Sequence, residues 1–137
     1  MGIALDTNIF ILSYNKQTSK GESTQELLDK ILKSGDQIFI SVIVFEEFLV
    51  KIYKQGLEKN LADYENFLTA GGLITVVDIT RQIARMAAKI RADYPSVRAP
   101  DAIHIASAIE SGAKIFYTTD KRLPKKIGKL KIKPLTN

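Results

Sequence analysis

The chain has 137 residues, 45% apolar and 26% charged, a composition typical of one globular domain, residues 1–137, with a real core. It contains no cysteine and one histidine, His104, which excludes disulfides, thiolate metal sites, cysteine nucleophiles and zinc sites built from several histidines. The net charge is +5, and from Lys114 onward there are eight basic residues and one acid, so this end either binds a polyanion such as nucleic acid or is a solvated, lysine-rich segment.

The first part of the chain predicts a strand followed by two helices. Asp6, Thr7 and Asn8 follow a short apolar run and suit a helix start, because their side chains bond the free N–H groups of a first turn. Ser23 and Glu26 have the S-x-x-E spacing of a capping box, which predicts that the second helix begins there. The expected elements are a strand at Gly2–Leu5, a helix at Thr7–Tyr14, a loop at Asn15–Gly21 and a helix that Gly35 ends.

The middle of the chain alternates apolar strands with capped helices. Ser41 and Thr80 are placed to cap helices, and Gly56 and Gly71 interrupt the helical patterns before them. The expected elements are a strand at Gln37–Ile40, a helix at Val42–Gln55, a helix at Leu57–Thr69, a strand at Leu73–Val77 and a helix from Thr80 that closes before Pro95.

The last part of the chain repeats the strand-and-acid arrangement of its beginning. Pro100 is expected in the first turn of a buried helix over Ala102–Ser111, strands are expected at Lys114–Tyr117 and Leu130–Ile132, and Asp120 lies just past the first of them. Alternating strands and helices indicate βαβ units, and therefore an α/β fold with a mainly parallel sheet.

Several acidic residues lie at positions that a parallel sheet would bring to one of its edges. Asp6 and Asp120 follow strand ends, Asp101 opens a helix, and Glu46 and Glu47 lie in the second turn of the helix after the second strand. In open α/β sheets, binding and active sites lie beyond the carboxyl ends of the parallel strands. Carboxylates that converge there repel one another unless a cation is bound. Oxygen ligands with at most one histidine suit Mg²⁺ or Mn²⁺, which can activate water at a phosphodiester.

Four segments carry a resemblance to a known family. They are LDTNIF at 5–10, ISVIVFEEF at 40–48, APDAIHIASAIESG at 99–112 and FYTTDKRL at 116–123. In this order and spacing they resemble the PIN-domain family and, within it, the VapC-type toxins. The resemblance implies a three-layer sandwich around a five-stranded parallel sheet of order 3-2-1-4-5, and a metal-dependent ribonuclease that cleaves single-stranded RNA.

The resemblance also implies roles for particular residues. The family's acidic positions fall on Asp6, Glu47, Asp101 and Asp120 as catalytic residues, with Asp6, Asp101 and Asp120 as the ligands of Mg²⁺ or Mn²⁺. The family pattern places one acid six residues after the serine and before a bulky apolar residue, which favours Glu47 over Glu46. The polar supporting positions match Asn8 and Thr118.

Three residues beside the expected site can each be interpreted in two ways. His104 lies three residues after Asp101 on the same helix face, and either contacts RNA or a metal-bound water, or is a packed, hydrogen-bonded side chain at the pocket floor. Lys121 and Arg122 follow Asp120, and either bind RNA phosphates or form a solvated turn.

The implied partners follow from the toxin interpretation. A toxin of this kind has an antitoxin protein that covers its pocket, and it commonly forms a homodimer. No apolar run approaches the roughly 18 residues of a membrane span, and no basic stretch precedes the N-terminal apolar run, so we expect a cytoplasmic protein without membrane contact.

Other functions remain open on the sequence. A PIN domain can also be an RNA processing or decay factor, or a non-catalytic module that binds nucleic acid. A D-x-D phosphotransferase would need an acid where Asn8 stands, and a phosphoacceptor domain would need one at Thr7, with Asp78 as the acceptor.

Overall fold

The computed structural model describes residues 2–14 and 19–135. In chain order, the strands and helices are β1 (Gly2–Leu5), α1 (Thr7–Tyr14), α2 (Ser19–Lys33), β2 (Gln37–Ser41), α3 (Val42–Lys54), α4 (Leu61–Thr69), β3 (Ile74–Val77), α5 (Arg81–Asp93), α6 (Ala99–Glu110), β4 (Ala113–Thr118), β5 (Lys126–Ile127) and β6 (Leu130–Pro134). Short 3₁₀ turns at Glu58–Asn60 and Ala70–Gly72 flank α4.

One sheet organises the part of the chain that the structure describes. Its strand order is β3-β2-β1-β4-β6-β5, and every neighbouring pair is parallel except β5 with β6. The expected order 3-2-1-4-5 is confirmed for the parallel strands, with β6 as the fifth strand. The two-residue strand β5 is an addition that the sequence pattern did not predict, and it pairs antiparallel on the outer edge of β6.

The central strand β1 fits tightly between its neighbours. A side chain at Gly2 would bring its Cβ within 3.0 Å of the Ala113 Cα and 3.2 Å of the Phe39 ring, so glycine is required by this close approach. Successive residues of β1 then face opposite sides of the sheet. Ile3 and Leu5 belong to one apolar core, and Ala4 belongs to the other.

Helices cover both faces of the sheet and make three layers. On one face, α1 to α4 pack on β1, β2 and β3 through side chains such as Phe10, Val44 and Phe48. On the other face, α5 and α6 pack on β4 and β6 through side chains that include Ile83 and Ile105. This arrangement confirms the predicted α/β sandwich. Within the described residues, no helix is long and apolar enough to cross a membrane.

Two predicted helix starts are confirmed by their caps. The Ser41 hydroxyl accepts a hydrogen bond from the Val44 N–H at 3.2 Å, and the Thr80 hydroxyl accepts one from the Ile83 N–H at 3.1 Å. Both residues have extended backbone angles, as an N-cap requires. The first of these caps fixes the start of α3, the helix that carries Glu47.

The predicted start of the second helix is wrong. Helix α2 begins at Ser19, so Ser23 and Glu26 lie inside it, and residues 19–21 of the expected loop Asn15–Gly21 are helical. Residues 15–18 lie outside the described part. The S-x-x-E spacing is also the spacing of one helical turn, so it occurs within helices as well as at their ends. The expected helix Leu57–Thr69 is divided, because only Leu61–Thr69 is α-helical.

Candidate active site

The four predicted acids line one pocket at the carboxyl edge of the sheet. Asp6 follows β1, Glu47 lies in the second turn of α3, Asp101 lies in the first turn of α6, and Asp120 follows β4. The pocket has a volume of about 610 Å³ and contains all four carboxylates. The tips of β1 and β4 are adjacent because these strands pair directly, with Leu5 opposite Tyr117. The convergence inferred from the sequence is therefore present in the fold.

Asp6 is the most buried of these acids and is held from two sides. One carboxylate oxygen accepts the Thr7 N–H at 2.6 Å, and the other accepts the Thr118 hydroxyl at 2.8 Å. The Thr118 hydroxyl also accepts the backbone N–H of Asp120 at 3.1 Å. Thr118 thus joins the two strand-end acids, and its predicted supporting role stays a prediction. The side chain of Asp6 has little freedom to turn away from the pocket.

A chain of hydrogen bonds holds Glu47. Its Oε1 accepts the Thr7 hydroxyl at 2.7 Å and lies 3.1 Å from His104 Nε2, while His104 Nδ1 lies 2.7 Å from the Ser41 hydroxyl. The neutral tautomer with its proton on Nε2 satisfies every contact, since Ser41 then donates to Nδ1 and His104 donates to Glu47. The hydrogen bond from His104 is the largest of the influences that lower the pKa of Glu47.

Within this chain, His104 is a buried hydrogen-bonding side chain. Only 2% of its side chain is exposed, and its two ring nitrogens face Ser41 and Glu47. Of the two interpretations open on the sequence, the packed histidine at the pocket floor agrees with this geometry. Glu46, the alternative acid, is exposed and does not line the pocket, whereas Glu47 does.

Asp6 and Asp101 are two neighbouring carboxylates whose mutual repulsion a bound cation would reduce. One ligand atom from each of Asp6, Asp101 and His104 lies within 4.8 Å of the others. Burial, and next the negative charge of Asp6, raise the pKa of Asp101. His104 Nε2 is directed at Glu47, so the carboxylate oxygens are the available ligands, and this hard oxygen set fits Mg²⁺ or Mn²⁺.

Asp120 lines the same pocket but is paired with a cation. The Arg122 side chain donates to both of its oxygens, at 3.0 Å from Nε and 3.2 Å from the second terminal nitrogen, and the Arg122 N–H donates at 2.9 Å. These bonds lower the pKa of Asp120. Arg122 is 73% exposed on its side chain, so it can move away at low cost.

Comparison with known proteins gives the family. The family model described as PIN domain matches residues 3–129, which is nearly the whole chain. The chain belongs to the PIN domain family. This confirms the family resemblance carried by the four sequence segments. A comparison with curated protein sequences found no match.

Solved structures similar to this PIN domain include several toxin–antitoxin complexes. The Rickettsia felis VapBC2 complex bound to a promoter DNA fragment has a chain with a TM-score of 0.73 and 22% identity, covering 98% of both chains. DNA-bound VapBC from Salmonella typhimurium gives 0.72 and 23%, also covering 98% of both chains. The Mycobacterium tuberculosis toxin VapC20, described as cleaving the sarcin–ricin loop, gives 0.68 and 16%, covering 88% of this chain and 91% of that one. At these low sequence identities, the similarity to these structures establishes the fold of the chain alone.

The remaining predicted residues are less directly connected to the acids. Asn8 lines the pocket and donates from its side chain to the Thr119 hydroxyl at 3.1 Å. Arg122 also lines the pocket, but Lys121 is exposed and does not. The predicted contact of Lys121 and Arg122 with RNA therefore stays a prediction, with Arg122 the better placed of the two.

Three cationic residues of this PIN domain were missed by the sequence reasoning. Lys51, Lys54 and Arg98 line the pocket together with Arg122. Lys51 and Lys54 come four and seven residues after Glu47, which is the spacing of one helix face, so choosing Glu47 could have pointed to them. Arg98 is the N-cap residue of α6, three residues before Asp101, and its place depends on how α6 sits on the sheet.

Proposed function

We propose that this PIN domain, with residues 1–137 acting as one unit, is a metal-dependent endoribonuclease that cleaves single-stranded RNA. The observation that carries the proposal is the convergence of Asp6, Glu47, Asp101 and Asp120 on one pocket of a PIN fold. Asp6, Asp101 and Asp120 would hold Mg²⁺ or Mn²⁺, which supplies activation of water and neutralises charge on the phosphodiester.

The residues of the chain have separate tasks in this proposal. Thr7 and Thr118 fix the Asp6 carboxylate, so its oxygens stay directed at the pocket. Thr7 and His104 occupy only Oε1 of Glu47, which leaves Oε2 to accept a hydrogen bond from the attacking water. The lowered pKa of Glu47 keeps this carboxylate ionised at neutral pH. Arg122 holds Asp120 in the pocket, and because its side chain is exposed it can turn from this acid to meet a substrate phosphate.

We further propose that the protein is the toxin of a type II toxin–antitoxin pair. Support comes from its similarity to chains of VapBC complexes over nearly their full length, and to a chain of a toxin–antitoxin complex from Klebsiella pneumoniae, at 22% identity and a TM-score of 0.67. A cognate antitoxin, a homodimer and a cytoplasmic location follow as expectations. An RNA processing factor or a non-catalytic module would not need an antitoxin.

A cleavage assay tests the nuclease. End-labelled single-stranded RNA is incubated with the purified protein in Mg²⁺ or Mn²⁺, and then in excess chelator, with Asp6→Asn as the inactive variant and Asp78→Asn as the control. Asp78 is exposed and does not line the pocket. We expect cleavage by the wild type and Asp78→Asn alone, and only with metal. Full activity in chelator, or in Asp6→Asn, contradicts the proposal.

Growth of a bacterial host tests the toxin assignment separately. Induced expression of the wild type should arrest growth, Asp6→Asn should not, and co-expression of the small protein encoded beside the toxin should restore growth. A nuclease that is active in vitro and harmless in the host would favour a processing role.

A further inference from the structure

One face of α3 forms a wall of the acidic pocket and continues beyond it. Glu47, Val50, Lys51 and Lys54 all line the pocket, and their spacing of three, four and seven residues places them on one side of the helix. Phe48 and Ile52, on the opposite side, are buried in the core. The wall therefore starts at a proposed catalytic acid and ends in two lysines.

This part of α3 also exposes apolar surface. Among the side chains that the structure describes, at residues 2–13 and 21–135, four large hydrophobic ones are strongly exposed, and Val50 at 42% and Tyr53 at 55% are two of them. Tyr53 lies three residues after Val50, so the two are neighbours on the helix surface. We name Val50, Lys51, Tyr53 and Lys54 the α3 strip. An aromatic ring beside lysines is the combination that binds single-stranded nucleic acid.

The cations of the pocket rim differ in their availability. Arg122 is paired with Asp120, whereas Lys51, Lys54 and Arg98 form no ion pair in the part of the chain that the structure describes. The pocket's own carboxylates repel phosphate, so a polyanion needs cations outside them. The free lysines of the α3 strip provide such cations at one edge of the pocket.

We infer that the α3 strip binds the RNA strand next to the bond that is cut. Lys51 and Lys54 contact phosphates, and a base stacks on the exposed ring of Tyr53. The inference rests on the proposed ribonuclease function and adds to it the surface that holds the substrate. A protein partner is the other possible occupant, but unpaired lysines beside a carboxylate pocket favour a strand of phosphates that enters the pocket.

Salt dependence of binding tests the lysines. Affinity for a short single-stranded RNA is measured by fluorescence anisotropy on an Asp101→Asn background, which prevents cleavage, from low to moderate salt. The test variant is Lys51→Ala with Lys54→Ala. The control is Lys30→Ala with Lys33→Ala, which has the same spacing, the same charge change and the same position in the last turn of a helix, but lines no part of the acidic pocket.

The two double variants should differ clearly. Each phosphate contact on a single strand contributes roughly 0.7 to the slope of log affinity against log salt, so the α3 variant should lose about 1.4 from the slope and the control should lose none. If both variants keep the slope of the background protein, the lysines do not hold RNA and the inference is wrong. Absence of cleavage by the wild type would overturn the proposed function, whereas cleavage with unchanged slopes would overturn this inference alone.

Three substitutions of Tyr53 test the stacking. Tyr53→Phe should bind RNA normally, while Tyr53→Ala and Tyr53→Leu should bind about tenfold more weakly at every salt concentration, with the slope unchanged. Equal affinity in Tyr53→Leu contradicts a stacked base. Sedimentation velocity is run on the same proteins. If Tyr53→Ala changes the oligomeric state and leaves RNA affinity unchanged, the strip is a contact between protein chains, which overturns the inference.

Discussion

Replacing Asp101 by asparagine should stabilise the metal-free protein while removing its proposed activity. The carboxylates of Asp101 and Asp6 have oxygens within 4.8 Å of each other, and burial and this neighbouring charge both raise the pKa of Asp101. Among the contacts of the described residues, the Asp101 side chain accepts no hydrogen bond that asparagine would lose. The substitution therefore removes the repulsion by Asp6 and Asp120, together with an attraction to His104 and Arg98, without breaking a hydrogen bond.

The expected gain is small but measurable. Two unit charges 4.8 Å apart repel by about 1 kcal/mol in water and about 3.5 kcal/mol at an effective dielectric constant of about 20. Asp101 is only half-buried, so solvent screening brings the repulsion to about 1–2 kcal/mol. The first turn of α6 favours a negative charge by about 0.5 kcal/mol, which offsets part of this. We expect a net gain of about 1 kcal/mol.

Urea unfolding in chelator at pH 7 measures the gain. With a typical slope of about 2 kcal/mol per molar, the midpoint of Asp101→Asn should rise by about 0.5 M, and that of the control Asp78→Asn should not change. Because the folded-state pKa of Asp101 is raised, the wild type loses stability as pH rises through that value and recovers it as pH falls. The advantage of Asp101→Asn should therefore shrink as the pH is lowered towards 4 and below.

Saturating Mg²⁺ should reduce the advantage as well, because the ion stabilises only the protein that binds it. A variant that is less stable than the wild type at pH 7 in chelator, with Asp78→Asn unchanged, would show that the two carboxylates do not repel and that the reasoning is wrong.

Three further substitutions test the fold around the pocket, each by urea unfolding. His104→Ala should cost about 2–4 kcal/mol, since it opens a cavity and removes the partners of Ser41 and Glu47; a loss below 1 kcal/mol would contradict the hydrogen-bonded chain. Thr118→Val keeps the shape but loses the hydroxyl that joins the strand-end acids, and it should cost about 1–3 kcal/mol, whereas Thr118→Ser should retain most of the stability. Gly2→Ala should cost about 1–3 kcal/mol because its Cβ meets the next strand, and a neutral result would mean that β1 and β4 can separate freely.

Much of the fold was predictable because the signals are local. Ser41 and Thr80 accept the N–H groups of the turns that follow them, and such caps can be recognised from a few residues. The start of α2 was not predictable in this way, because the spacing of Ser23 and Glu26 also fits a helix interior. Strand β5 has only two residues, which is too short for an alternating pattern.

The candidate site was predictable in its acids and only partly in its cations. Acids at strand ends are brought together by the parallel sheet, whatever the details of packing. Lys51 shares a helix face with Glu47 and could be inferred once that acid was chosen, whereas the position of Arg98 depends on how α6 is rotated on the sheet. The pairing of Arg122 with Asp120 depends on side-chain geometry in a turn. Neither property follows from spacing alone.

The pairing of β1 with β4 has a consequence for synthesis of the chain. Asp6 and Thr118, which share a hydrogen bond, are separated by 112 residues, and β1 lies in the sheet between β2 and β4. At about 5–20 residues per second, a ribosome needs roughly 6–20 s to travel that distance. During this interval the first strand is synthesised but lacks a neighbour on one side. A nascent chain that stops before β4 therefore contains three of the four acids but lacks the strand that places the fourth beside them.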